Sequence, residues 1–290
     1  MGLRTKFNLV ILVTFIIGMI SAGLISNSVL QKNARQEILD TAGLLMESAM
    51  AIRSYTVKEI RPLLAVQIKR EFLPQIVPAY AAMTNVQNMR EKYPEYSYKE
   101  ATLNPTNPAD RATDWEAGII DYFRNNRKQT ELIGTRESAT GPMLYMARPI
   151  EIKNASCLAC HSEVDAAPKS MLEKYGNANG FGWKMHEIIG SQIVSVPMSV
   201  PLQRASKTFH TFMYALAGVF VLVFVILNAL LHLIVIEPVK KISAVAHEVS
   251  MGKMDVPELD EQGKDEIASL AGSFNRMRRS LVNALQMLGD

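Results

Sequence analysis

Residues 215–227 read ALAGVFVLVFVIL, and this uncharged run lies inside a longer apolar stretch from about Phe212 to Ile236. A membrane-spanning helix needs roughly 20 such residues, because each adds about 1.5 Å across a hydrocarbon core of about 30 Å. The length of the stretch, with Tyr214 and His232 near its ends, favours a membrane span over a buried core helix. The stretch is therefore predicted to be a transmembrane helix.

A second apolar stretch runs from about Phe7 to Leu30 and contains no charged residue. Its apolar run is longer than that of a typical signal peptide, and no clear A-x-A cleavage site follows it. An uncleaved membrane anchor is therefore favoured over a cleaved signal peptide.

The cations beside the two stretches predict the orientation of the chain. Arg4 and Lys6 precede the first stretch, and Lys240 and Lys241 follow the second. Because positive residues collect on the cytoplasmic side of a membrane, both termini are predicted to be cytoplasmic. The predicted layout is a cytoplasmic N-terminus (1–6), a transmembrane helix (7–30), an external domain (31–211), a second transmembrane helix (212–236) and a cytoplasmic tail (237–290). This layout is typical of a transmembrane receptor.

The composition argues against a nucleic-acid-binding protein and against a disulfide-rich one. The 290 residues carry a net charge of only +3, which is too small and too evenly spread for a nucleic-acid partner to be expected. The chain has only two cysteines, so a disulfide framework is excluded.

Both cysteines lie in the segment Cys157-Leu-Ala-Cys160-His161. Two thiols three residues apart can each add to one vinyl group of a haem, and the adjacent histidine then supplies an imidazole to the iron. A zinc half-site would need a second Cys or His pair at short spacing, and a redox dithiol would need a thioredoxin-like βαβ pattern; neither is found. Covalent haem attachment takes place outside the cytoplasm, where the topology independently places this segment. The sequence predicts one covalent haem c, attached through Cys157 and Cys160 with His161 as an axial ligand.

Other residues are candidates for contacts with the haem. The possible sixth ligands of the iron are Met46, Met50, Met83 and His186, although a packing role is more common for each of them. The possible partners of the haem propionates are Arg53, Tyr55 and Arg111, because a guanidinium binds a carboxylate through two parallel hydrogen bonds. Structural roles suit these three residues as well. No Ser/His/Asp triad, carboxylate pair or phosphate loop stands out, so the chain is not expected to be an enzyme.

The external segment is predicted to be a mixed α and β domain. The predicted elements are a helix from about 33 to 76 that is broken near Pro62, a loop at 102–110, a helix at 115–125, strands within 131–152 that turn near 140–142, a glycine-rich turn at 176–182 and a closing strand at 187–197.

An ordered set of motifs resembles the c-type haem, PAS-like periplasmic sensor family. The motifs are Arg53-Ser-Tyr55-Thr56, Val77-Pro-Ala-Tyr80, the segment from Tyr98 to Pro108, the haem motif, and the segment from Tyr175 to Trp183. The resemblance covers most of residues 31–205. It implies an α+β fold with a PAS-like antiparallel sheet and flanking helices, a single haem, and a location in the bacterial inner membrane with the central domain in the periplasm.

The tail carries two short apolar seams at heptad spacing. The first seam is Val239, Ile242, Ala246 and Val249, and the second is Ile267, Leu270, Phe274, Met277, Leu281, Ala284 and Leu288. With Pro238 after the span, Gly252 after the first seam and Asp265-Glu266-Ile267 opening the second, the tail is similar to a HAMP module. That similarity implies a homodimer held by a parallel four-helix coiled coil, whereas a plain amphipathic hairpin is the alternative.

Two functions fit these features. In the first, a haem receptor detects redox state or a small ligand and signals through HAMP. Because no output domain follows the tail in this sequence, either the output protein acts in trans in the cytoplasm or the sequence is a fragment of a receptor. In the second, the chain is a membrane-anchored electron carrier and the tail is only a dimer clamp. An electron carrier has no need of a second span that leads into a signal-converting coiled coil, so the receptor is favoured.

Overall fold

The computed structural model describes residues 2–289, apart from the side chains of residues 69, 288 and 289. The predicted seam position Leu288 therefore lies outside the described side chains. The chain forms two compact units: one is Ser28–Lys207, and the other combines the N-terminal segment up to Asn27 with the chain from Thr208 onward.

The first apolar stretch lies in a long helix, α1, which spans Leu3–Tyr55. A π-helical segment, Thr56–Ile60, and a final turn, Arg61–Leu63, continue it. The predicted break near Pro62 is confirmed, because the helix ends at Leu63, one residue after a proline whose missing N–H cannot continue the helical hydrogen bonds. The predicted helical character up to Ile76 was wrong, because only two 3₁₀ turns, Gln67–Lys69 and Pro74–Ile76, follow Leu63.

A four-stranded antiparallel sheet lies at the centre of the first unit. Its strands are β1 (Ser97–Thr102), β2 (Leu132–Ser138), β3 (Gly141–Glu151) and β4 (Ile188–Pro197), in the order β1-β4-β3-β2. The predicted hairpin and closing strand are confirmed as β2, β3 and β4. The hairpin turns at Gly141, whose φ of 107° suits a residue without a Cβ.

Helices cover both faces of this sheet. On one face, α1 and helix α2 (Pro78–Met89) pack against the sheet. The apolar residues that α1 buries recur every three to four positions and so share one side of the helix: Ala34, Ile38, Ala42, Met46 and Ala49. On the other face, helix α3 (Asp114–Asn125) inserts Ile119, Ile120 and Phe123. The predicted antiparallel sheet with flanking helices is thereby confirmed.

Helix α3 begins at Asp114 because Thr113 and Glu116 form a capping box. The Glu116 carboxylate accepts the backbone N–H of Thr113 at 2.8 Å, which satisfies a donor that the helix leaves unpaired. The cap positions the start of α3, and therefore Trp115, at one end of the sheet.

The second unit contains the second apolar stretch, in the helix Ser199–Leu230, which continues as a π-helical segment, Leu231–Ile236, and then as the helix Glu237–Ser250. Both apolar windows meet the length and hydropathy expected of a membrane span, and both are unburied by protein. Within this unit Phe15 stacks on Phe220, with ring centroids 4.6 Å apart.

The tail forms the two predicted helices, Glu237–Ser250 and Glu266–Gly289. Gly252 ends the first of them with a φ of 84°. The segment between the two helices is held to the second helix by Asn275. Its side chain accepts a hydrogen bond from the Leu259 N–H at 3.1 Å and donates one to the Leu259 carbonyl at 2.8 Å.

Candidate functional site

The two cysteines lie on one short helical turn in the first unit. A 3₁₀ turn, Ala155–Cys157, runs directly into the helix Leu158–His161. Both thiols are half-buried, and they do not form a disulfide. A spacing of three residues places side chains on the same side of a helix, so the two thiols face a common region.

His161 is held in one tautomer by a backbone contact. Its Nδ1 lies 2.8 Å from the carbonyl oxygen of Gly180. A carbonyl can only accept a hydrogen bond, so Nδ1 carries the hydrogen and Nε2 keeps its lone pair. Burial lowers the pKa of His161, and the hydrogen bond to the Gly180 carbonyl only partly opposes this effect. The lowered pKa favours the neutral imidazole, which is the form that binds metals.

The ring plane of His161 is also restrained. Trp183 stacks on the imidazole with ring centroids 3.9 Å apart and an interplanar angle of 14°. The backbone N–H of Trp183 donates to the carbonyl of His161 at 3.1 Å. Stacking and hydrogen bonding together leave the ring little freedom to turn.

The turn that supplies the Gly180 carbonyl is fixed by the loop after β1. Asn104 accepts the Gly180 N–H at 3.1 Å and donates to the Phe181 carbonyl at 3.3 Å. Gly180 has a φ of 86°, and a Cβ there would lie 2.8 Å from the Thr106 backbone. Only glycine fits this position. The fold therefore fixes the hydrogen bond from His161 Nδ1 to the Gly180 carbonyl, and metal-bound histidines commonly make such a bond through the nitrogen that does not bind the metal.

A buried polar network connects α1 to the sheet beside the cysteines. Arg53 forms an ion pair with Glu100, which also accepts the Tyr98 hydroxyl at 2.8 Å. Burial lowers the pKa of Arg53, but the combined effects of Glu100, Tyr98 and Cys157 outweigh it, so the pKa is raised overall. Burial raises the pKa of the Cys160 thiol, and the charge of Arg61 partly offsets this. Charged residues at the C-terminal end of the first long helix thus interact electrostatically with the cysteine turn.

Asp110 is a second acidic group near this network. Burial, and next the charge of Glu100, raise the pKa of Asp110 to about 6, while Lys99 acts in the opposite direction. Burial also raises the pKa of Tyr175, with contributions from Tyr80 and Asp110. Asp110 of the loop after β1 and Tyr175 of the helix Lys169–Tyr175 therefore interact electrostatically.

The four candidates for a sixth ligand have different surroundings. Met46 is fully buried in the core between α1 and the sheet. The Met50 sulfur accepts a hydrogen bond from Gln192 at 3.2 Å, and the Met83 sulfur accepts one from the Glu100 backbone N–H at 3.5 Å. His186 is exposed, with a φ of 64°, and lies 3.4 Å from Glu151. The role of each in binding iron stays a prediction.

The three candidates for propionate contacts also differ. Arg53 is engaged by Glu100, Tyr55 is 58% exposed, and Arg111 lies 3.5 Å from the Asn179 side-chain oxygen. The role of each toward a propionate stays a prediction.

The donor set fits a haem. Two thiols on one turn are available for thioether bonds, and the neighbouring imidazole presents an unprotonated Nε2. Among residues 2–289, no three or more His, Cys, Asp or Glu side chains converge into a group that would hold a bare metal ion.

These features define a class of protein: a sensor-type domain between two helices that are long and apolar enough to cross a membrane, followed by a two-helix tail. Residues 31–197 match the Tll0287-like family, and residues 230–283 match the HAMP domain. Since the first match spans more than half of the 290 residues, the chain belongs to the Tll0287-like family and carries a HAMP domain after it. Both resemblances drawn from the motifs are thus confirmed.

One solved structure is also similar to this chain. It is entitled "Crystal structure of the cyanobacterial heme-protein Tll0287", and the two chains are 19% identical. The alignment covers 56% of this chain and 95% of that chain, with a TM-score of 0.43. No curated protein matches.

Proposed function

We propose that this protein is a membrane-bound haem c receptor of the bacterial inner membrane. Cys157 and Cys160 attach one haem covalently, and His161 is its proximal ligand. The central domain is periplasmic, both termini are cytoplasmic, and the chain acts as a homodimer through HAMP. The signal passes to a cytoplasmic output protein in trans. Two free thiols on one turn beside an imidazole whose Nδ1 is bonded to a carbonyl support the choice of cofactor.

The bound haem would supply an iron whose oxidation state or open coordination position responds to redox state or to a small ligand. The chain's own residues prepare the site for it. The Gly180 carbonyl holds the His161 proton on Nδ1, Trp183 holds the ring plane, and the half-buried turn presents both thiols to one region. The proposal assigns no catalysis to the chain.

One observation carries the receptor function: β4 of the sheet ends at Pro197, and a single helix, Ser199–Ser250, then runs through the apolar stretch into the first HAMP helix. An electron carrier has no use for such a connection. A receptor needs it, because the output must respond to events in the haem domain.

Attachment is tested by replacing both thiols. Cys157→Ala with Cys160→Ala is expected to leave no haem on the chain after denaturing electrophoresis or acid-acetone extraction. The matched control, Ser156→Ala, alters the neighbouring side chain on the same turn and keeps the haem. Recovery of free haem from the intact wild-type protein would contradict covalent attachment.

Signalling is tested separately from attachment. A cysteine placed at Phe274 in the full chain in membranes is crosslinked with a bismaleimide, with the haem air-oxidised, ascorbate-reduced, or reduced with CO or NO added. The receptor predicts that the crosslinking yield changes with the state of the haem, and that the change disappears in the variant without Cys157 and Cys160. Equal yields in every state, together with rapid electron exchange, would favour the electron carrier.

A further inference from the structure

A cleft of about 1,050 Å³ lies on the first unit, at the end of the sheet that α3 leaves uncovered. Strand pairing places Ser97 opposite Ser195, and Ser195 opposite Tyr145, so these residues share the sheet face that carries α3. Ser97, Ser195 and Met143 line the cleft there, and Trp115 and Arg136 line it as well. The cleft therefore has an aromatic and cationic wall at Trp115 and Arg136, and the carboxylates of Glu95, Asp110 and Glu116 line it elsewhere.

Arg136 is an unusual cation within this cleft. Its guanidinium carbon lies 4.2 Å from the centroid of the Trp115 ring. Its Nε atom is enclosed by protein and has no acceptor in the described part of the chain. The two terminal nitrogens are not enclosed in this way, so they are the donors that a ligand in the cleft can reach.

The other cations in the cleft already have partners. Lys99 donates to Glu116 and to the Arg111 carbonyl, each at 2.8 Å. Arg90 donates to Gln87 at 3.1 Å and to the Pro94 carbonyl. Among residues 2–289, Arg136 is thus the cation lining the cleft that has no hydrogen-bonding partner. A partly buried positive charge without an acceptor is costly, and a bound anion removes that cost.

The position of Arg136 is fixed before any ligand arrives. It lies on β2, paired with Met143 of β3. Trp115 packs on Tyr145 with ring centroids 5.7 Å apart. Tyr145 in turn lies over Gly134, where a Cβ would come within 2.8 Å of its ring. A preorganised guanidinium loses less entropy when it binds a carboxylate than a mobile one does.

We propose that this cleft binds a small organic acid whose carboxylate pairs with the terminal nitrogens of Arg136. A guanidinium donates two parallel hydrogen bonds to a carboxylate, which selects this group over a neutral amide. Trp115, Met143 and Ile193 contact the apolar body of the acid. This site is additional to the haem and gives the domain a second, chemically distinct input.

The proposal is tested with benzoate as the probe and the full-length haem-loaded protein in detergent micelles. Isothermal titration calorimetry on the wild type is expected to give a Kd in the millimolar range or tighter. Arg136→Gln weakens binding about tenfold or more, and Arg136→Lys weakens it less. The matched control is Arg127→Gln, which alters an exposed arginine that does not line the cleft and leaves benzoate affinity unchanged. Thermal melts and haem spectra of all variants establish that each is folded.

Three further arms sharpen the result. Benzamide, the uncharged analogue, and inorganic phosphate are each expected to bind at least about tenfold more weakly than benzoate. Equal binding of either, or no benzoate binding to the wild type, overturns the proposal. A haem propionate is the other possible source of a carboxylate. If benzoate binds only to the variant without Cys157 and Cys160, the propionate occupies Arg136 and the second-input proposal is wrong.

Discussion

The first unit and the tail bury their apolar residues to different degrees within a single chain. In the first unit Met46, Ala42 and Ile120 have 0% exposure. In the tail, the seam residues Leu270 and Met277 remain 49% and 58% exposed. The first unit therefore has a complete core of its own, whereas the tail has a seam that only a second copy or another partner covers. The stability of the first unit should be independent of protein concentration, and that of the tail should depend on it.

The largest expected effect comes from emptying the closed core. Met46→Ala should lower the free energy of unfolding of the first unit by about 3 to 5 kcal/mol, because it removes a fully buried side chain and leaves a cavity. Met50→Ala is the matched control on the same helix. Its side chain is 37% exposed, so the loss should be about 1 kcal/mol. Urea unfolding measures the loss of unfolding free energy in each variant, and repeating it at a second protein concentration shows whether the stability of the first unit depends on concentration.

The same pair of variants tests two candidates for the sixth ligand. The core position of Met46 leads us to expect that Met46→Ala leaves the haem spectrum and the rate of CO binding to the ferrous form unchanged. A large acceleration of CO binding in Met46→Ala, without one in Met50→Ala, would instead identify Met46 as a ligand.

The next effect comes from the buried ion pair of the first unit. Glu100→Gln should cost about 3 kcal/mol, since it leaves Arg53 without a counter-charge at a carboxylate that is only 4% exposed. The control is Glu131→Gln, at an ion pair with Arg148 in which both side chains are about one-third exposed. It should cost less than about 1 kcal/mol, because Arg148 keeps Glu47. Equal losses in chemical denaturation would refute the special role of the buried pair.

A smaller, pH-dependent effect is expected at Asp110. The pKa of this carboxyl is raised from 3.8 to about 6, so the folded state binds the proton more tightly than the unfolded state does. Wild-type stability should therefore fall as the pH rises from about 4 to about 6, and Asp110→Asn should abolish that fall. At pH 7 the variant should be more stable by about 1 to 2 kcal/mol, and near pH 4 the two should be similar. Denaturation curves across this pH range measure the difference in unfolding free energy between the variant and the wild type. A difference that does not change with pH would contradict the burial of Asp110.

The smallest free-energy change is expected in the tail, where the signal is a crosslink. Phe274→Cys should form a crosslink between two subunits in membranes, because this seam position faces the partner in a parallel coiled coil. The matched control is Arg276→Cys, at an exposed position two residues along the same helix that lies outside the seam. Crosslinking at position 276 and not at 274 would contradict the proposed dimer.

Local sequence patterns predicted the elements that are stabilised locally. The hairpin of β2 and β3, the closing strand β4 and helix α3 all have alternating or helical apolar patterns of their own. Strand β1 was missed because its sequence, SYKEAT, contains both Lys99 and Glu100. These charges are accommodated only through distant partners, Glu116 and Arg53, that the sequence does not place beside them.

In the candidate site, too, the local features were predictable from the sequence and the distant contacts were not. The spacing of Cys157, Cys160 and His161 reveals the chemistry, because the three residues act from one turn. The contact that orients His161 was not predictable, since Gly180 lies 19 residues away and is in turn held by Asn104, 76 residues from it. Both residues are in the motifs that carry the family resemblance, yet only the fold indicates what they do.

The π-helical segment Leu231–Ile236 has a consequence for the phase of the helix in which it lies. A π turn accommodates one residue more than an α turn, and each residue of an α-helix advances the chain by about 100° around the axis. The side chains of the first HAMP helix therefore point about 100° away from the directions that an uninterrupted helix would give them. The segment acts as a one-residue phase offset, so deleting a single residue within it should preserve the facing of the HAMP seam. The same deletion within residues 215–227 should rotate that seam.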